Sequence, residues 1–274
     1  MESKLDVNTY SEDSSTGDSP LVHDDDCGKS FFESINDQTR IVNGEDVPVK
    51  LTSNNVYVHP YPWMVRISRS KTTESVFCGG TLISRRHVLT AAHCMIKFER
   101  KPSCQTKTYC KRDEVRLIRK SKKWVTLGDY NMKTNKMNEG EVQMEISDFV
   151  THPKTHQLNP SEDPFLYDFA ILTLQECVNL DVNIQPACIP KNNQDTYENK
   201  KVSVIGWGLD RYDVGKNKNI LQYINITVLS GYDCRSPILR RELPDAYYNP
   251  LYIMCAGDPI TGDKDGCQND SGGK

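Results

Sequence analysis

Apolar residues along this chain come in short runs rather than at helical spacing. Tyr61–Ile67, Val76–Ile83, Trp124–Leu127, Phe169–Leu174, Val202–Ile205 and Ile220–Leu229 are rich in Val, Ile, Phe, Tyr and Trp, which suit a pleated, half-buried surface. Gly79-Gly80, Asn138-Glu-Gly140, Asn159-Pro160 and Gly206-Trp-Gly208 punctuate them with turn residues. No segment of helix length is amphipathic, and no internal repeat is visible. The pattern predicts an all-β protein of many short antiparallel strands, closed as barrels or stacked as a sandwich. No run approaches the roughly 20 apolar residues of a membrane-spanning helix, so no membrane partner is expected.

Composition adds size and compartment. With 274 residues, 37% of them hydrophobic, the chain can form one large domain or two small ones. Ten cysteines without a C-x-x-C pair read as disulfide staples of an oxidising compartment, hence a secreted protein. Met1–Ser30 has no apolar core of a signal peptide, so either the start is incomplete or the export signal lies elsewhere.

Charge is uneven. The formal net charge of −3 gives no general reason to expect nucleic acid or acidic lipid as a partner. Residues 1–40 carry ten acids against three bases and a Ser/Thr/Gly/Pro-rich stretch from Ser11 to Pro20, the marks of a solvated leader anchored only by Cys27. Between Lys97 and Lys123 eleven Lys and Arg face three acids, with Cys104 and Cys110 placed to close a small ring. This insert reads as a solvated surface loop, with recognition of an acidic partner as the alternative.

Three local sequences carry chemistry. In Leu89-Thr-Ala-Ala-His93-Cys94 two small alanines leave an imidazole room to face a neighbour, and Cys94 could pin the loop to Cys78. Asp168, at the mouth of an apolar strand, needs a partner if it is buried, and an imidazole N–H is one. In Asp265-Gly-Cys-Gln-Asn269-Asp270-Ser271-Gly-Gly273 a serine stands beside glycines that let a carbonyl approach its hydroxyl and nearby N–H groups. Serine is a weak nucleophile without a base. His93 is the candidate base and Asp168 the group that would hold its tautomer.

The chain at this point resembles the trypsin/chymotrypsin-type serine proteases, most of all the catalytic part of arthropod clip-domain proteases. The motifs are Arg40-Ile41-Val-Asn-Gly44, Tyr61-Pro-Trp-Met-Val65, Cys78-Gly-Gly-Thr-Leu-Ile-Ser84, Thr90-Ala-Ala-His-Cys94, Asp168-Phe-Ala-Ile-Leu172, Gly206-Trp-Gly208, Met254-Cys-Ala-Gly257 and Asp270-Ser-Gly-Gly273, in the family's order. The resemblance implies two antiparallel six-stranded Greek-key barrels, the first over about 41–187 and the second over about 188–274. With the sequence ending at Lys274, just after Ser271, the second barrel is expected to be incomplete.

Residue by residue, the resemblance makes His93 the general base, Asp168 its orienting acid and Ser271 the nucleophile of a serine endopeptidase. The N–H groups of Asn269 and Ser271 would form the oxyanion hole, and Asp265 would bind an Arg or Lys side chain of the substrate. Arg40–Ile41 resembles an activation cleavage point, leaving residues 1–40 as a propeptide and pairing the new Ile41 ammonium with Asp270. The implied disulfides are Cys27–Cys188, Cys78–Cys94, Cys104–Cys110 and Cys234–Cys255, with Cys177 and Cys267 left over. Asn225-Ile-Thr227 is a sequon for N-glycosylation. No cofactor is required; Asp129, Asn131, Glu139 and Glu141 resemble a loop that holds calcium in some members, but their spacing is longer than the family's and favours a plain polar loop. Implied partners are protein substrates, an upstream activating protease and a serpin-type inhibitor. The competing expectation is an impaired protease-like scaffold that binds or regulates, favoured by Asn269 in place of the family's glycine and by the early end.

Overall fold

The structure is a computed structural model. It describes residues 27–30, 45–47, 50–51, 57–71, 76–100, 115–119, 123–133, 140–157, 167–190, 196–208, 219–234 and 254–257. The strands up to the first helix are β1 (Glu45–Asp46), β2 (Lys50–Leu51), β3 (Tyr57–Val58), β4 (Met64–Ser68), β5 (Val76–Leu82) and β6 (His87–Thr90). One helical turn, α1 (Ala92–Met95), leads to β7 (Ile96–Arg100), β8 (Val115–Arg119), β9 (Trp124–Leu127), β10 (Val142–Thr151) and β11 (Ala170–Leu174). The rest comprises β12 (Lys201–Gly206), β13 (Gln222–Val228), the turn α2 (Gly231–Cys234) and β14 (Ala256–Gly257). Among the described residues no helix is long and apolar enough to cross a membrane.

Six strands close into an antiparallel barrel in the order β10-β11-β6-β5-β4-β9. Its interior is filled by alternate residues of each strand, among them Val65 and Ile67, Val88, Val125 and Leu127, and Leu172 and Leu174. Gly80 marks a close approach: a Cβ there would lie 2.7 Å from Cγ1 of Val88 on the neighbouring strand. A second sheet has β13 at its centre, paired with β12, β1 and β14. It packs on the outer face of β4, where Met64 joins Ile205, Trp207, Leu221 and Tyr223 in one buried cluster. This second contact buries Met64, which alternation alone would leave on the outer face of β4.

Three elements differ from the pattern read along the chain. The ten-residue β10 was hidden because Ser147 and Asp148 interrupt its alternation, where the register against β11 shifts. The four-residue β6 follows Arg85 and Arg86 and has few apolar residues to announce it. The flanks of the basic insert form a hairpin, with Ile96 paired to Arg119 and Arg100 to Val115, rather than a loop throughout. Cys104 and Cys110 lie outside the described residues.

His59, 1% exposed, has a buried Nε2 with no hydrogen-bond partner, while Nδ1 accepts from the N–H of Tyr61 at 3.3 Å. Burial lowers its pKa from 6.5 to about 4. The fold therefore holds His59 neutral while the unfolded chain takes up a proton below pH 6.5. The stability this provides is fully present above that pH and is lost as pH falls towards 4, about 3 kcal/mol in all. Urea denaturation from pH 7 to 4 is expected to show this slope, and His59→Phe to flatten it. An unchanged slope in the variant would remove His59 as its source.

Candidate active site

Strand pairing explains how residues far apart in sequence meet. The last residue of β6, Thr90, is paired with the first of β11, Ala170. His93 in α1 continues just beyond Thr90, and Asp168 lies just before Ala170, so both emerge at the same end of the barrel. At the end of β6, Thr90 Oγ1 donates to the Gly79 carbonyl of β5 at 2.8 Å, and a disulfide joins Cys78 of β5 to Cys94 in α1. The helix bearing His93 and the strand that leads into it are thus each tied to β5.

The contact itself is made by both carboxylate oxygens. Asp168 Oδ1 accepts the backbone N–H of His93 at 2.8 Å, and Oδ2 lies 2.6 Å from His93 Nδ1. A carboxylate can only accept, so Nδ1 carries a proton, and in the neutral ring the lone pair is on Nε2. The Asp168 side chain is 17% exposed and that of His93 is 48% exposed, so the acid is the more enclosed of the two. The arrangement sets the tautomer and ring orientation of the imidazole from behind.

Ser271, Asn269, Asp270 and Asp265 lie outside the described residues, as do Arg40 and Ile41. Disulfides join Cys27 to Cys188 and Cys234 to Cys255, in addition to the bond that anchors α1. Cys177 is half-buried beyond β11, and Cys267 is outside the described residues. Asn225 is half-buried on β13, where its Oδ1 accepts from Ser203 Oγ at 2.6 Å.

The surroundings of Asp129 tell against the calcium alternative. Its carboxylate is fully buried and lies 2.6 Å from Nε of Arg66, itself 3% exposed, on the outward face of β4. Glu141 neighbours Asp129, and Glu139 lies outside the described residues. Burial pushes the Asp129 carboxyl above the ordinary carboxylate range, against the opposing pull of the guanidinium. A calcium ion needs carboxylate oxygen at 2.3–2.6 Å, and the chain's own cation already stands there. Among the described residues the donor set does not fit the metal. Sequence reading missed Arg66, although a lone arginine in the apolar Tyr61–Ile67 run was a signal for a buried acidic partner.

A six-stranded antiparallel barrel holding a histidine–aspartate couple at its rim defines a class, the trypsin-like serine proteases. The Trypsin family model matches residues 51–273, and the chain belongs to that family. It is 28% identical to the proclotting enzyme of Tachypleus tridentatus, over 86% of this chain and 54% of that protein. It is 30% identical to venom serine protease Bi-VSP of Bombus ignitus, over 90% of this chain and 58% of the relative. The chain therefore spans little more than half the length of these relatives. Among solved structures, mouse neuropsin, a serine protease, superposes with a TM-score of 0.56 at 24% identity, covering 78% of this chain and 76% of its own. At that identity the likeness speaks for the fold.

Proposed function

We propose that this chain is the zymogen of a secreted serine endopeptidase that cuts after Arg or Lys. The observation that carries the reading is the two-point grip of Asp168 on His93, with Nδ1 as donor and Nε2 left to accept a proton. His93 Nε2 takes the proton of Ser271 as Oγ attacks the scissile carbonyl, then returns it to the leaving amine. Asp168 stabilises the imidazolium between those steps. The N–H groups of Asn269 and Ser271 bind the oxyanion, and Asp265 pairs with the basic side chain of the substrate.

Activation follows from charge. Cleavage between Arg40 and Ile41 by an upstream protease creates an ammonium at Ile41, which docks beside Asp270 and orders the Asn269–Ser271 loop. An unpaired buried carboxylate is costly, so docking has a strong driving force. Residues 1–40 then remain as a propeptide held by Cys27–Cys188, while 41–274 form the protease domain. Asn225 is the sugar acceptor, its amide nitrogen being the atom modified. A serpin-type inhibitor is the natural antagonist of such an enzyme.

A fluorophosphonate probe tests the reading directly. The chain cut at Arg40 is expected to label at Ser271 at least about 100-fold faster than the uncut chain, and His93→Ala to lose labelling. Equal labelling of cut and uncut chains would sink the activation step. No labelling of either, in a folded chain, would sink the enzyme. Arginyl and lysyl substrates are expected to exceed a tyrosyl one by about 100-fold or more in kcat/KM. Parity among the three would remove Asp265 from its role.

A further inference from the structure

We infer that Tyr167 is a positioning residue, clamped by His152 and Thr155 so that the neighbouring Asp168 carboxylate stays aimed at His93. The inference rests on the triad reading above and assigns that triad a support outside its own motifs. Tyr167 has φ 58°, in the left-handed region that a bulky side chain rarely adopts. Such a conformation persists only where the surroundings over-determine it.

Here they do. The Tyr167 ring lies flat on the His152 imidazole, with centroids 4.7 Å apart and planes 6° from parallel. Its other contacts include the Lys154 ammonium, 5.2 Å from the ring centroid. Thr155 Oγ1, on a residue only 3% exposed, donates to the Tyr167 carbonyl at 2.7 Å, and the N–H of Phe169 donates to the same oxygen at 2.9 Å. The N–H of His152 donates to the Phe169 carbonyl at 3.2 Å, and its ring meets that of Phe169 at 4.9 Å. The carbonyls on both sides of Asp168 are therefore fastened to the segment His152–Thr155.

The consequence is directional. With Tyr167 and Phe169 both fixed, the Asp168 side chain leaves the backbone at one angle, and that angle delivers both oxygens to His93. Small misplacements of a catalytic group, about 1 Å, cost on the order of 100-fold in rate. A stack of aromatic rings beside an exposed edge would be ordinary packing if it touched nothing reactive. This one spans the peptide units that carry the orienting acid.

Tyr167→Gly removes the ring but accepts the left-handed backbone, so it tests the stack without adding strain. In the full chain cut at Arg40, kcat is expected to fall more than about 10-fold with KM within about twofold. The low-field proton resonance of the His93 Nδ1–H···Asp168 bond should broaden or vanish, in the cut and the uncut chain alike. Tyr167→Phe, which keeps the ring, should match the parent in both. Thr155→Val supplies a second test should the glycine variant fail to fold, with kcat expected about fivefold lower and the same resonance weakened. A variant that lowers only melting temperature, with kcat and resonance intact, overturns the inference. Asp168→Asn separates the two levels: full activity there overturns the triad reading, whereas an inactive Asp168→Asn beside a fully active Tyr167→Gly overturns this inference alone.

Discussion

Replacing Asp168 with Asn is expected to lower kcat by about 10⁴-fold while leaving the barrel folded, the size known for this change in other triad enzymes. The geometry gives the reason. In the parent, two acceptor oxygens meet two donors, the backbone N–H and Nδ1–H of His93. An asparagine has only one acceptor oxygen, so its NH₂ group must face one of those donors. The backbone N–H cannot change, and the oxygen will stay with it. The imidazole then turns its lone pair at Nδ1 towards the amide and carries its proton on Nε2. A protonated Nε2 cannot take the hydroxyl proton of Ser271. Single-turnover kinetics on an arginyl ester, with melting temperature as the control for folding, check the prediction. Activity within tenfold of the parent would mean that Asp168 does not set the tautomer.

Arg66→Met is expected to cost about 3–5 kcal/mol of folding stability, because it leaves the Asp129 carboxylate buried without its cation. Methionine fills much of the volume, so the loss reports charge rather than a cavity. The pH dependence is a sharper signature. Without the guanidinium, the folded-state pKa of Asp129, already pushed up by burial, rises further. The folded variant then holds a proton that the unfolded chain has released, so its stability falls as pH rises above the ordinary carboxylate range. The deficit should be larger at pH 8 than at pH 5 in urea denaturation. Adding Asp129→Asn should restore part of the loss by removing the stranded charge. A deficit below about 1 kcal/mol, independent of pH, would mean that the pair is solvated. Excess calcium should raise the melting temperature of neither protein.

The fold was legible where side-chain chemistry follows strand period. Trp124–Leu127 is a strand with the bounds its apolar run suggests, and Val76–Ile83 exceeds the observed strand by one residue. It was least legible where a strand carries charge. Ser147 and Asp148 in β10 occupy outward or bulged positions that cost nothing in water, so nothing in their polarity marks a strand. Arg66 was illegible for the opposite reason. It stands on the outward face of β4, buried beside Asp129 from just beyond β9, and one strand cannot show what will pack upon it.

His93 and Asp168 could be named from their neighbours: small alanines before one, an apolar strand after the other. Those neighbours decide what each side chain is able to do, and they lie within a few residues of it along the chain. Their partnership is another matter. It depends on Thr90 standing opposite Ala170, a register set by the inward set of apolar residues around the whole barrel, since a one-residue slip would turn that set outward. The stack of Tyr167 on His152 and the guanidinium beside Asp129 are of the same kind. Local sequence determined which groups carry the chemistry; only the closing of the barrel decided which of them touch, because contacts between distant residues exist only once the strands between them have paired.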